Sequence, residues 1–257
     1  MGALAYVLWG CFPLYFRLLD DAGAVEIVFH RVLWSLLFCL VLVAVTRAWT
    51  PLLALARRPA RLLQLGIAAG FLALNWGVYI YAVNSGQVVE ASLGYFINPL
   101  VSIVFGVVLL SERLRVVQWV AVGVAVAAVG VLTVGHGRPP VIALTLALSF
   151  GLYGLLKKRA GEGVDALSGL TVETLLLSPL ALAGVVPLAL DGSGSFTPDD
   201  PALALWLSTT GVVTAVPLLL FAGAARRIPL STLGLLQYLT PVLQFLCGTV
   251  LLHEHMP

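Results

Sequence analysis

The sequence predicts an all-α integral membrane protein of inverted five-helix repeats, with nine transmembrane helices present and a tenth missing. Three observations carry that expectation. Hydrophobic residues make up 60% of the 257-residue chain and charged residues only 10%, about half or less of the charged share of a soluble domain. The apolar residues arrive in blocks of about 20, the length at which a helix crosses a hydrocarbon layer. Five residues of one block also recur at a fixed offset in another.

A chain this apolar cannot hide its surface in one aqueous core. Lipid offers no partner to a bare backbone group, and the blocks lack the period-2 alternation of barrel strands, so each block is read as a helix. The blocks lie at 3–19, 26–46, 62–83, 88–110, 116–135, 140–157, 166–190, 202–224 and 230–252. The first lacks a basic leading segment and a small-residue cleavage pattern, and Asp20 and Asp21 follow it. It is therefore expected to be a retained span, not a cleaved signal.

Orientation follows from the connections. Arg47, Arg57, Arg58, Arg61, Arg113, Arg115, Lys157, Lys158, Arg159, Arg226 and Arg227 fall on alternate loops, eleven of the fourteen basic residues. The opposite loops hold Asp20, Asp21, Asp191, Asp199 and Asp200, with only Arg17 and Arg138 nearby. Retention of basic loops in the cytoplasm places the N-terminus of this multi-pass protein there.

The recurrence links Pro99, Gly106, Leu109, Leu110 and Glu112 to Pro241, Gly248, Leu251, Leu252 and Glu254, each pair 142 positions apart. It predicts a first repeat over 1–138 with five spans and a second over 139–257 with four. An odd number of spans per repeat makes the second copy enter the membrane from the other face. Inverted repeats recur in secondary transporters, with substrate sites near the membrane midplane where the repeats meet. A static scaffold of duplicated helices is the alternative.

Proline inside a span removes a donor and displaces the carbonyl four residues earlier, which lipid tolerates where a polar neighbour or wet cavity receives it. Pro99 and Pro241 would free the carbonyls of Tyr95 and Gln237, beside Asn98 and Tyr238. These four are candidate solute-binding residues, and the two prolines are candidate kinks. Asn75, Trp76, Tyr79, Trp9 and Tyr153 add polar and aromatic groups able to stack on a ring or to fill a core. Arg31 and Glu173, also 142 apart, are charges within spans, and with His30 they are candidates for intramembrane charge or coupling. Glu173 could exchange a proton or face a cation, and Arg31 an anion; polar glue between helices is the alternative for both. Mirrored depths would leave about 10 Å between them along the membrane normal. Glu26 and His30 stand near the outer end of their span, where solvation is expected. Gly66 and Gly70 form a GxxxG pair that signals close helix contact.

Motifs for metalloproteases, P-loops and serine hydrolases are not found. No catalytic residue, cofactor or metal is expected, and the partners expected are a small solute and lipid, with no nucleic acid. The imidazoles of His253 and His255, two apart on a helix end, would point away from each other and make a poor metal site.

The run Glu90-Ala-Ser-Leu-Gly-Tyr-Phe-Ile-Asn-Pro-Leu100 resembles the signature of RarD-type proteins in the EamA branch of the drug/metabolite transporter superfamily. His30-Arg-Val-Leu-Trp-Ser35, Asn75-Trp76, Ala82-Val-Asn84, Glu173-Thr174, Ser231-Thr-Leu-Gly234 and Gln237-Tyr238 resemble the same group. The resemblance implies a ten-helix bacterial inner-membrane permease, from which this chain departs by starting close to its first span and lacking the tenth. The expected function is movement of a small organic metabolite or drug-like solute by alternating access, driven by a gradient, since no ATP-binding element is found. A non-transporting membrane scaffold or sensor is the alternative, and a membrane-embedded enzyme the third reading.

Overall fold

The computed structural model describes residues 1–136, 140–160 and 163–247. Twelve α-helices follow one another: α1 (Gly2–Gly10), α2 (Phe12–Phe16), α3 (Ala24–Val45), α4 (Trp49–Ala56), α5 (Pro59–Asn84) and α6 (Val88–Leu110), then α7 (Val116–His136), α8 (Val141–Ala160), α9 (Ala166–Asp191), α10 (Pro201–Ala225), α11 (Leu230–Gln237) and α12 (Leu239–Leu246). No strand occurs among the described residues. Local chemistry sets several boundaries. Asp165 accepts from Ser168 N and Asp200 from Leu203 N, each at 2.9 Å, to cap α9 and α10; Gly192 ends α9 with φ at 73°, where a side chain would be strained.

Among the described residues, six helices are long and apolar enough to cross a membrane, and a bent pair brings the number to seven if it is one span. That pair is α1 with the α2 segment that runs to Leu19 through a 3₁₀ turn, bent by 43°. The sequence predicts a single short span over 3–19 here. Pro13 supplies the break, since it has no N–H to offer Trp9, whose carbonyl takes a bond from Gln244 Nε2 at 3.3 Å instead. The expected loop between the second and third spans contains the short helix α4. Helix α7 falls on the predicted fifth span, and α11 with α12 on the described part of the predicted ninth, whose residues 248–252 lie outside the described residues; neither is among the membrane-length helices.

The radial distribution of polarity is that of a chain solvated by hydrocarbon. Leu63 is 67% exposed, Val108 68%, Leu180 62% and Leu190 83%, whereas Ser35, Thr210 and Glu173 are at 0%. Lipid removes the penalty for apolar exposure and imposes one on polar exposure, so the polar groups turn inward.

The main helix contacts pair α3 with α9 and α10, α5 with α8 and α9, α6 with α8 and α11, and α1 with α10, α11 and α12. Exchanging α1 with α8, α3 with α9, α5 with α10 and α6 with α11–α12 maps the principal pairings onto one another. Two crossings depend on glycine. A Cβ at Gly211 of α10 would overlap the Trp34 backbone of α3, and one at Gly234 of α11 would stand 2.8 Å from Pro99 O of α6. Gly66 and Gly70 make no comparable approach: a Cβ at Gly66 would stand 3.6 Å from Leu176 Cδ1 of α9, an ordinary contact, and one at Gly70 meets nothing within 4 Å.

Helices α6 and α11 run antiparallel. Glu112, just past the end of α6, binds Leu230 N and Ser231 N at the start of α11, while Tyr238 past the end of α11 reaches Phe96 in the first half of α6. Arg138, Gly248, Leu251, Leu252, His253, Glu254 and His255 lie outside the described residues.

Candidate functional site

Between the helices lies a cavity of about 330 Å³. Its lining comes from both parts of the chain: α1 and α2 through Trp9, Phe12 and Phe16; α3 through Arg31; α5 through Asn75, Trp76 and Tyr79; α6 through Tyr95 and Asn98; and the second part through Phe150, Gln237, Thr240 and Gln244. Those in α5 belong to its second half and those in α6 to its first, so the cavity lies toward the Ser85–Gln87 turn that joins them. This is the end that carries the acidic connections.

The opposite end is filled. Tyr6, Tyr153, Phe221, Leu230 and Leu233 form a buried cluster with Trp9, Phe150 and Leu236 packed against it. Beyond it, the Glu112 carboxylate accepts from Leu230 N at 2.7 Å, Ser231 N at 2.8 Å and Ser231 Oγ at 2.7 Å. Lys158 Nζ stands 3.8 Å from the same carboxylate and donates to Ile228 O at 2.7 Å. Four helix ends are thereby tied at the basic face.

Within the cavity the polar groups divide into employed and unemployed. Asn75 Nδ2 donates to Leu146 O at 2.9 Å and Ser149 Oγ at 3.0 Å, holding α5 to α8. Thr240 Oγ1 donates to Tyr6 O at 3.0 Å. Asn98, only 3% exposed, has its Oδ1 buried with no hydrogen-bond partner among the described residues. Arg31 donates from Nε to Thr214 Oγ1 at 2.9 Å. Its guanidinium carbon stands 4.8 Å from the Trp76 ring centre, 5.4 Å from Phe16 and 5.9 Å from Phe12. Tyr79 and Tyr95 meet edge to face at 6.0 Å.

Of the residues singled out from sequence, Tyr95, Asn98, Gln237, Asn75, Trp76, Tyr79, Trp9, Arg31 and Pro241 line the cavity. The others stand elsewhere. Tyr153 is fully buried, its hydroxyl 3.3 Å from Glu173 Oε2. Glu173, at 0% exposure, forms an ion pair with Lys157 at 2.8 Å. Neither Tyr153 nor Glu173 reaches the cavity, and Lys157, assigned from sequence to a basic loop, is 5% exposed inside α8. Helix α8 continues to Ala160, one turn beyond the expected end, which turns that lysine inward to the carboxylate. Tyr238 lies outside the lining, and Pro99 sits within an unbroken α6 with its carbonyl against Gly234. The discontinuity in the second copy falls at Tyr238, between α11 and α12, three residues before Pro241.

His30 and Glu26 are not solvated: they are 4% and 6% exposed. The loop after α9 folds over them, with Ser195 N and Oγ donating to the Glu26 carboxylate at 2.7 and 2.9 Å and Phe196 stacked 5.1 Å from the His30 ring. Sequence reasoning passed over Thr240 and Gln244, which follow Gln237 by three and seven residues. That helical spacing would have revealed them once the Gln237 face was chosen.

Comparison with known proteins agrees with this architecture. The model of the EamA-like transporter family matches residues 1–134 and again residues 139–257. The chain is 50% identical over 256 residues to Protein RarD of Streptomyces exfoliatus, covering 100% of this chain and 81% of that one. It is 44% identical to Protein RarD of Escherichia coli (strain K12), covering 99% and 85%. Against an uncharacterized transporter of Pseudomonas aeruginosa, PA0485, identity is 46%, over 100% and 85%. A solved crystal structure superimposes with a TM-score of 0.70 at 19% identity, over 100% of this chain and 88% of that one, and so shares the fold. With its membrane-length helices and two matches to one family model, the chain is a multi-pass membrane protein that belongs to the EamA-like transporter family.

Proposed function

We propose that this protein is a secondary carrier that moves a small organic metabolite or drug-like solute across the bacterial inner membrane by alternating access. Residues 1–138 and 139–257 act as two inverted halves, and the N-terminus is cytoplasmic. The observation that supports this most is one cavity walled by both halves and displaced toward one face, with the other face closed by the Glu112 contacts and the aromatic cluster. A carrier needs a site that one face can reach while the other is shut, and two similar halves supply two such arrangements of similar energy. The antiparallel crossing of α6 and α11 and the exchange symmetry of the helix pairings support the inversion. A solute gradient drives the cycle, and Trp9, Trp76, Tyr79, Tyr95, Asn98 and Gln237 contact the solute.

Counterflow tests this reading. Proteoliposomes loaded with one unlabelled single-ring metabolite at a time, then diluted into trace label, should transiently accumulate label above the outside concentration. A metabolite panel that gives no accumulation beyond protein-free vesicles would favour a non-transporting scaffold or sensor.

A further inference from the structure

Among the described residues that line the cavity, Arg31 is the only charged one. Its Nε is satisfied by Thr214 Oγ1 at 2.9 Å, while its remaining N–H groups have no hydrogen-bond partner and no carboxylate within 4 Å among the described residues. The guanidinium is held instead among the rings of Trp76, Phe16 and Phe12. Rings orient a cation without cancelling its charge. The buried acids Glu26, Glu90 and Glu173 are engaged elsewhere: Glu26 by Ser195, Glu90 by Ile142 N and Glu173 by Lys157. A cation taken out of water without a counter-charge is costly, and in membrane proteins such residues pair or face a water-filled cavity.

We propose that the cavity selects organic anions, with Arg31 as the group that receives a carboxylate or similar oxyanion through its free Nη edge. A planar guanidinium presents paired donors at the spacing of two carboxylate oxygens, which a single ammonium does not. The rest of the lining describes the rest of the solute. Aromatic walls accept a flat or apolar body, and the unpartnered Asn98 Oδ1, buried at 3% exposure, accepts a hydrogen bond from a hydroxyl, amide or amine. The volume of about 330 Å³ equals that of roughly eleven liquid waters at about 30 Å³ each. That leaves room for a single-ring acid. This inference deepens the carrier reading and rests on it for calling the occupant a transported solute.

The test uses three probes with one ring and different heads: phenylacetate, phenylacetamide and phenethylamine. Binding to the purified full chain is followed by quenching of tryptophan fluorescence, since Trp9 and Trp76 face the cavity, and by thermal stabilisation. Phenylacetate should half-saturate at a concentration at least tenfold below the other two, and Arg31→Gln should erase that preference. Arg31→Lys, which keeps the charge, should still prefer the carboxylate but bind it severalfold more weakly, and it decides the matter if the glutamine variant does not fold. Equal binding of acid and amide, preference for the amine, silence of all three probes, or an unchanged preference in Arg31→Gln would overturn the anion site. Binding of phenylacetate without its counterflow would sink the carrier reading and leave the anion site standing. Counterflow confined to neutral or cationic solutes would do the opposite.

Discussion

The Tyr238 hydroxyl donates a hydrogen bond to the carbonyl oxygen of Phe96 at 3.4 Å, and the two residues stand 142 positions apart. In the inverted-repeat arrangement proposed above, positions separated by the repeat offset touch only near the axis that relates the two halves. The cavity straddles the same place, since Tyr95 and Gln237, and likewise Asn98 and Thr240, are offset pairs that all line it.

Asn98→Ala should therefore separate binding from folding. The lost Oδ1 is a buried acceptor with no partner among the described residues, so its removal relieves a penalty of about 1–3 kcal/mol instead of breaking a bond. Thermal unfolding of the empty protein should stay level or rise. Phenylacetate quenching should weaken by severalfold, and Gln237→Ala should act in the same direction. A drop in unfolding temperature with intact quenching would assign both residues to packing.

The Lys157–Glu173 pair should behave as structure. Both ends are nearly inaccessible, at 5% and 0% exposure. Glu173→Ala leaves an uncompensated ammonium in the core, a loss on the order of 3–5 kcal/mol. The double change Lys157→Met with Glu173→Leu should recover most of it, because the desolvation of both charges disappears together. Denaturant titration in detergent measures this. A double variant no more stable than Glu173→Ala would mean that the pair contributes more than charge compensation.

Gly211→Ala tests the closest crossing of α3 and α10. The added methyl would overlap the backbone at Trp34, which cannot rotate away as a side chain could. Separation of the two helices would also strain the bond from Ser35 Oγ to Gly211 O, now 3.2 Å. A loss of about 1–3 kcal/mol is expected, read as a lower midpoint in the same titration. Gly70→Ala, which meets nothing within 4 Å, is the matched control.

What was legible in the sequence was whatever depends on one helix at a time. The apolar blocks follow from local composition, the offset of 142 from a recurrence along the chain, and the candidate solute contacts from the two prolines within spans and from polar and aromatic residues beside them. What escaped depends on neighbours. Glu173 and Arg31, matched in sequence, have unlike surroundings because Lys157 reaches the first, while Thr214 and aromatic rings surround the second. His30 and Glu26 looked solvated because nothing in α3 announces that residues 195 and 196 fold over them. The break before Pro13 was masked by the apolar residues around it.

Orientation can be checked on exposed positions alone. After replacement of Cys11, Cys39 and Cys247, a single cysteine at Asp199 should react with an impermeant maleimide in sealed cells. One at Arg58 should react only after the membrane is opened. Both positions are exposed, so burial cannot imitate the result, and the reverse pattern would place the basic connections outside.

Glu112 offers the sharpest test of alternation. Its carboxylate holds the start of α11 through two backbone N–H groups and the Ser231 hydroxyl, all within 2.8 Å, next to Lys158. An acid at a helix N-terminus is stabilised by charge-assisted bonds and by the helix dipole. Glu112→Gln keeps the shape, loses the charge and turns one acceptor into a donor facing other donors. If these contacts hold the basic face shut, a loss of about 2–3 kcal/mol multiplies the population open to that face by roughly 30- to 150-fold. Ser102, 5% exposed on α6 beside Gly234, lies where that opening would admit solvent. A cysteine there should react with maleimide in inside-out vesicles far faster when Glu112 is glutamine than when it is glutamate. Equal rates, with the variant still folded by its unfolding midpoint, would reduce Glu112 to a helix cap and leave the closure to the aromatic cluster around Tyr153 and Phe221.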